Sequence, residues 1–569
     1  MNTEITKKPP HTGFFVKKLD DMTRAERVVF ICLVTVGVIL TLTFGIWWFQ
    51  AGHISHNFNG VWHALDYVIF IVLSYIVWHH IIMEIFSWYI AAHIKRPEPP
   101  PVPEGGLKVA YLTAFVPGAE PYDVLERTLT AMAGVDYPHD TWLLDEGDDE
   151  GAKAICAAHG VKHYSRKGKD HLNTSVGKFK KKTKEGNYNA WLHHYDHEYD
   201  IVAQHDVDFI PRKDYLMRTL GYFKDSDVAF VGAPQVYGNR SESWIARGAA
   251  EQTYGFYGPL QKGFYSHDMT LLIGANHIVR TKAYRDIGGY AAHITEDMLT
   301  GMKLYAHGNK WKSVYVPEVL LIGEGPATWS SYLSQQLRWS YGCMDIVFRH
   351  APALLSKMSV QRACNFILLQ QFYFSGVAQV AGIGLLTLYF FFGVTSANMT
   401  LLPILVFYVP LVVYQILFQL WIQRFNIDPT TECGLLLRGR LLALAAWPVY
   451  FIAFLGVIQD RPLTYVVTPK GSIQLPAHYP SLFVPHFLLG SITFIGILAG
   501  YYLGHSAPQI VFWAVINTAF MYYFFFSEAV PVGIRFLGEL VYRYRLKSIR
   551  LYPKFNLAAL LSKNVEPET

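Results

Sequence analysis

At 569 residues, 51% apolar and 15% aromatic, the chain is too long for one compact domain and too apolar for an ordinary soluble protein, so part of it lies in lipid. Its net charge of +5 is small for the length, and the Lys and Arg crowd beside apolar runs, which points to membrane topology and away from nucleic-acid binding. The five cysteines, Cys32, Cys156, Cys343, Cys364 and Cys433, are scattered without a C-x-x-C pair and suggest neither a disulfide framework nor a zinc site, which fits a reduced, cytoplasm-facing protein.

Residues 1–27 carry Lys7, Lys8, Lys17, Lys18, Arg24 and Arg27 and precede the apolar run 28–49, long enough to span a bilayer at about 1.5 Å per residue. The run exceeds a signal-peptide core and lacks a cleavage site, so it is expected to be retained. A second run, 64–91, returns to Lys95 and Arg96, and the loop between the runs holds no Lys or Arg. Residues 1–96 therefore read as a cytoplasmic tail and two transmembrane helices, with everything just after Lys95 in the cytoplasm. The next ten residues, 97–106 (PEPPPVPEGG), predict a stiff extended linker.

Residues 107–345 are globular in composition. Short apolar runs at 109–116, 141–144, 201–204 and 228–231 alternate with helical or polar stretches, which predicts an α/β domain with a mainly parallel sheet. Chemistry in such sheets collects beyond the carboxyl ends of strands, and two acidic clusters fall there, Asp145-Glu146-Gly147 and Asp206-Val207-Asp208. An Asp-x-Asp cluster is either a plain acidic turn or a Mg2+ or Mn2+ site, because hard cations take one or two carboxylates and leave other positions to phosphate and water. Between the clusters stands a lysine-rich stretch, mostly solvated surface, whose Lys184 beside Gly186 and Asn187 is placed to reach a diphosphate.

The domain closes with Thr295-Glu296-Asp297 and Gln335-Gln336-Leu337-Arg338-Trp339, shortly before the chain turns apolar again. An Asp accepts a proton from an attacking hydroxyl, an Arg fork holds phosphate, and a Trp face carries a sugar ring; together these are the tasks of sugar transfer from a nucleotide diphosphate. One-step displacement needs one base and a stabiliser for the departing diphosphate, where a glycosidase needs a second carboxyl group. At the ordinary Asp pKa of about 3.9, Asp297 is expected to be ionised at neutral pH.

In order and spacing, LLDEG, KEGNYN, HDVDFIP, LLIGAN, ITED and QQLRW resemble the motifs of inverting family 2 glycosyltransferases, specifically their processive, cellulose-synthase-like branch, from about Leu107 to Gly471. The resemblance implies an α/β GT-A domain inserted between α-helical transmembrane segments. It also implies that Asp145 helps bind uridine, that Asp206 and Asp208 hold the metal and diphosphate, that Asp297 is the general base and that Trp339 is the acceptor platform, with Lys184, Gln335 and Arg338 at the substrate. Glu146 replaces a more usual Asp, Ile273 a usual Cys, and Phe209 a common His; these departures leave the acceptor site and linkage open.

After the globular domain, 346–365 suits an interfacial helix. Five apolar runs follow, at 366–394, 399–422, 441–458, 483–503 and 510–532. If all five crossed, the basic tail 533–569 would lie outside, so 441–458, the shortest and the one containing Pro448, is assigned to an interfacial helix, 431–458. That leaves four spans in 366–532 and keeps 459–480 cytoplasmic. This loop holds Tyr465-Val466-Val467-Thr468-Pro469-Lys470-Gly471, which is either a Pro-Gly turn or, by the resemblance, a gating loop that lays Thr468 and Lys470 over a bound diphosphate. The 37 residues after Val532 are too few for a PilZ barrel. Glutamines in the spans, Gln371, Gln379, Gln415 and Gln419, read either as a polymer path or as interhelical bonds, with the path preferred.

The expected protein is an inner-membrane, processive, inverting transferase that uses a UDP-sugar, UDP-glucose first, and passes a growing β-glucan through its own spans. Cellulose, a curdlan-like polymer and a mixed-linkage glucan are the candidate products. Expected partners are the donor, the polysaccharide acceptor and membrane lipid, with room for accessory export subunits and none for nucleic acid. The alternatives are a non-processive transferase acting on a lipid acceptor, a hyaluronan or amino-sugar polymer synthase, and a transporter or scaffold with a degenerate nucleotide-sugar domain.

Overall fold

The computed structural model describes residues 13–308, 311–461, 463 and 478–551, with side chains to Ile534 and at Leu537. Thr468 and Lys470 lie outside the described residues. Among the described residues, twelve strands follow in chain order: β1 (Lys18–Asp20), β2 (Lys95–Pro97), β3 (Val109–Phe115), β4 (Asp140–Asp145), β5 (Lys162–Tyr164), β6 (Ile201–His205), β7 (Ile210–Pro211), β8 (Val228–Gly232), β9 (Val236–Tyr237), β10 (Asn276–Arg280), β11 (Lys312–Tyr315) and β12 (Leu321–Gly323). The four apolar runs predicted as strands are β3, β4, β6 and β8. They are continuous rather than alternating because helices cover both faces of the sheet they form.

Seven strands make one sheet in the order β11-β8-β10-β6-β3-β4-β5. Neighbours run parallel except at β10, which pairs antiparallel with both β6 and β8. That reversal matters for the site. Asn276 at the start of β10 pairs with His205 at the end of β6, so the LLIGAN segment arrives where Asp206 leaves the sheet. A smaller sheet, β7-β12-β9, lies after the Asp-x-Asp motif.

Among the described residues, six helices are long and apolar enough to cross a membrane, at Arg24–Trp48, Gly60–Ala92, Val360–Phe392, Leu401–Phe425, Pro480–Leu503 and Pro508–Ile534. The α/β domain falls between the second and third. The run expected at the interface forms two helices, Leu437–Ala445 and Trp447–Ile458, bent by 42° where Pro448 enters the first turn of the second. The third span starts six residues earlier than the apolar run suggested. The chain breaks after the short Ala351–Leu355 helix, and Ser359 then caps a new helix through the Arg362 N–H, so the stretch expected to be one interfacial helix, 346–365, is divided.

The polar contacts show which segments share a side of the helical hairpin. Strand β1, before the first span, pairs antiparallel with β2, after the second, in the register Lys18↔Pro97. Val16 N donates to Asp225, and Tyr222 Oη donates to the Glu98 carbonyl, so both ends of the hairpin rest on the α/β domain. The proline-rich linker packs there too; a Cβ added at Gly221 would lie 1.8 Å from the Pro101 carbonyl oxygen. It is a strap on the domain and not a free spacer. In the spans, Gln419 Nε2 donates to Glu84 Oε2 (3.0 Å) and Ser87 Oγ (3.3 Å), which favours interhelical bonding over a polymer-path role for this glutamine.

Candidate active site

A cleft of about 580 Å3 opens beyond the carboxyl ends of β3, β4 and β6, and its walls include Lys184, Asp206, Asp208, Gln335 and Arg338. Each comes from a different local device. Asp206 and Asp208 follow β6 directly, and Asp206 N donates to the Ala275 carbonyl at 3.0 Å, locking the motif to the LLIGAN segment. Lys184 opens the Lys184–Tyr195 helix, whose cap is Thr183 Oγ1 accepting from Gly186 N. Gln335 and Arg338 are three residues apart on the Trp329–Asp345 helix and so share a face. Trp339, the next residue, is half-buried and does not line the cleft.

At the centre, Lys184 Nζ donates to Asp206 Oδ1 at 2.5 Å and to the Gly274 carbonyl at 2.7 Å, with Glu296 Oε1 at 3.9 Å. Gly274 faces the other way as well: its N–H donates to Asp297 Oδ2 at 2.7 Å, while Asp297 Oδ1 accepts from Met298 N at 2.7 Å. A single glycine thus holds the cation by its carbonyl and the expected base by its amide. A side chain there would strike the base, since a Cβ on Gly274 would sit 2.9 Å from Asp297 Oδ2.

Asp297 does not line the cleft. It stands behind Gly274, where its charge also acts on Tyr257, Cys343 and Tyr373, the last of these on the third membrane-length helix. The base therefore lies between the cleft and the membrane helices. Its environment corrects the expectation of an ordinary carboxyl. Burial raises the Asp297 pKa, and the Met298 and Gly274 amides and the Lys184 cation offset only part of that rise. Glu296 is pushed up to about 8, by burial first and then by the Asp297 charge. Burial opposes the Lys184 charge, but Asp206 and Glu296 outweigh it and hold that amine well above its usual range.

Asp145 is placed differently from expectation. Its side chain is fully buried, outside the cleft walls, and accepts from Gly147 N (2.8 Å), Asp149 N (2.5 Å) and His163 Nε2 (3.0 Å). It shapes the turn after β4. The cleft-lining member of this motif is Glu146, the residue noted as a departure. Its two oxygens receive Arg166 Nη2 (2.9 Å) and Nε (3.1 Å), and the same guanidinium donates to the carbonyls of Leu172, Phe179 and Lys180. The longer Glu reaches a buried Arg that organises the whole loop leading to Lys184. His163 and Arg166 were invisible to motif reading because neither stands in a motif; a lone Arg between a strand and a lysine-rich loop was the only signal.

Asp206 and Asp208 suit a hard divalent ion: two carboxylates on one turn at an open cleft, with room left for phosphate oxygens and water. Ion binding there competes with the present Lys184–Asp206 bond, so the lysine is placed to exchange its carboxylate for a phosphate.

Residues 201–459 match the family model of glycosyl transferase family group 2. Among curated proteins, the chain is 24% identical over 392 residues to the cellulose synthase catalytic subunit (UDP-forming) of Xanthomonas axonopodis pv. citri, covering 66% of this chain and 50% of that protein. It is 25% identical over 413 residues to the corresponding subunit of Pseudomonas fluorescens, covering 70% of this chain and 52% of that one. The chain spans about half the length of these bacterial relatives. Among solved structures, a mannosyltransferase from Pyrobaculum calidifontis in complex with GDP-Man and Mn2+ aligns with a TM-score of 0.46 at 14% identity, over 69% of this chain and 99% of that one.

Proposed function

We infer that this chain is a family 2, cellulose-synthase-like glycosyltransferase, as its likeness to the family model and to bacterial cellulose synthase catalytic subunits supports: it transfers sugar from a UDP-sugar, UDP-glucose first, to a growing β-glucan, with inversion, and passes the polymer across the inner membrane while its α/β domain faces the cytoplasm. One observation carries the reading. The Lys184–Gly274–Asp297 relay joins the open cleft on one side to a base on the membrane side, so donor and acceptor approach from opposite directions.

The donor diphosphate would lie along the cleft, held by Lys184 as a point charge and by Arg338 as a fork. Asp206 and Asp208 would hold Mg2+ or Mn2+, which when bound neutralises charge on the departing diphosphate. The acceptor hydroxyl gives its proton to Asp297. Its oxygen bonds to the anomeric carbon, the bond to UDP breaks on the opposite face, and UDP leaves with the electron pair. A raised pKa makes Asp297 a stronger base once it is ionised, and the Gly274 amide keeps it aimed. Thr468 and Lys470 belong to this proposal as groups that cover the diphosphate, and Trp339 as a platform for the acceptor. The test supplies the purified chain in lipid with each UDP-sugar and Mg2+ or Mn2+, then digests the product with linkage-specific glucanases. Polymer made by wild type and not by Asp297→Asn, with UDP binding retained, supports the reading. One defined glycolipid in place of polymer would shift it to lipid-linked transfer, and near wild-type transfer by Asp297→Asn would remove the base assignment.

A further inference from the structure

Three side chains that the transfer chemistry does not use meet where the loop leading to Asp297, the end of the Trp329–Asp345 helix and the π-helical turn Ile346–His350 come together. His293 Nε2 lies 3.0 Å from Asp345 Oδ2, and His350 Nε2 lies 3.9 Å from the same oxygen. All three ligand atoms fall within 4.8 Å of one another. Around a tetrahedral Zn2+ with bonds near 2.1 Å, ligand atoms stand about 3.4 Å apart, so small rotations of the two rings close the set. The His293 and Asp345 side chains are each 8% exposed and His350 is 39% exposed, which gives a buried pair with one open side for the ion and a water.

The surroundings orient the donors. Arg349 Nη1 takes Asp345 Oδ1 at 2.6 Å, leaving Oδ2 turned toward the imidazoles. On the far edge of His293, Nδ1 lies 3.1 Å from Thr295 Oγ1. With an ion on Nε2, Nδ1 carries the proton and donates to that hydroxyl, the outer partner that fixes a ligating tautomer, at the expense of the present Thr295 N–H bond to Nδ1. Arg349 and Lys303 are the cations nearby and act against the ion, but Arg349 is also matched by Asp460 at 2.8 Å.

We propose that His293, Asp345 and His350 form a binding site for one borderline transition-metal ion of the Zn2+ class, separate from the hard-cation pair Asp206 and Asp208. Two imidazoles and one carboxylate select Zn2+ or Co2+ over Mg2+, whereas carboxylates with phosphate and water select the reverse. The bound ion cross-links the segment just before Asp297 to the helix that carries Gln335 and Arg338. It binds only the folded arrangement, so it raises thermal stability.

The test uses the full chain without affinity histidines, purified in detergent, stripped by a chelator and free of UDP. Co2+ is titrated while the visible d–d band of tetrahedral cobalt is followed. The proposal expects one Co2+ per chain, displacement by Zn2+ and a higher unfolding temperature with Zn2+. His350→Ala, a change at a half-exposed ring, should weaken binding at least ~10-fold, the lower bound for losing even an outer partner. The double variant Asp206→Asn with Asp208→Asn should keep it. A missing tetrahedral band at saturating Co2+, or equal binding by wild type and His350→Ala, overturns the site. His293→Ala should weaken binding as well, and if that variant does not fold, His350→Ala decides alone.

Discussion

Gly274→Ala tests the relay at its narrowest point. The new Cβ would lie 2.9 Å from Asp297 Oδ2 and 3.4 Å from both Asp297 Cγ and Glu296 Oε1, so the base must move away from the amide that now holds it at 2.7 Å. An ordinary Cβ contact needs about 0.5 Å more, enough to stretch that bond beyond good geometry. A hydrogen bond to a charged group contributes about 1.5–3 kcal/mol. If that is lost only where the base must be ionised and aimed, the rate falls roughly 10- to 150-fold, in line with the ~100-fold penalty for a 1 Å misplacement of a reacting group. Losing the donor also raises the Asp297 pKa further, because the Gly274 amide is one of the groups that lower it. The assay is UDP release from UDP-glucose by the chain in lipid, across pH, with UDP binding measured separately by calorimetry. A kcat within about twofold of wild type, with the acid limb of the profile in place, would refute the idea that this amide positions the base.

Lys184→Met removes a cation that lowers the Asp297 pKa; since the ionised form is the active one, the acid limb should move to higher pH, and a limb that stays or moves down counts against the pairing. Glu296, raised to about 8 in the fold, binds its proton more tightly folded than unfolded, so it should cost stability as pH rises from the ordinary carboxylate range through about 8; Glu296→Gln should flatten that decline in thermal melts, and parallel melting curves would exclude the effect. Arg166→Met leaves Glu146 and several loop carbonyls without their buried partner and should cost about 3–5 kcal/mol in denaturant unfolding, whereas a loss under 1 kcal/mol would make the Arg a bystander. Lys470→Ala should sharply lower polymer yield with little change in melting temperature; wild-type yield would leave 459–480 a connector.

The sequence alone determined what depends on periodicity and residue type. Continuous β-rich runs became β3, β4, β6 and β8 because a strand buried on both faces must be apolar along its length. Long apolar runs became the membrane-length helices, and the run holding Pro448, which was set apart from them, forms two shorter helices bent by 42°. Lys184, Asp206, Asp208, Gln335 and Arg338 were expected at one substrate site from the order of their motifs and the family those motifs resemble, and the structure brings all five to one cleft. What only the tertiary structure decided are contacts between groups distant in the chain. The antiparallel insertion of β10 carries Gly274 to Asp206 and sets Asp297 behind it, out of the cleft wall. Asp145 and Asp206 look alike in sequence, each an acidic residue at a strand end, yet one is closed off by two amides and His163 while the other faces the cleft. The same limit hid the raised pKa of Asp297. Burial in the surrounding fold shifts a carboxyl, and no spacing along the chain reports how much of that fold closes around it.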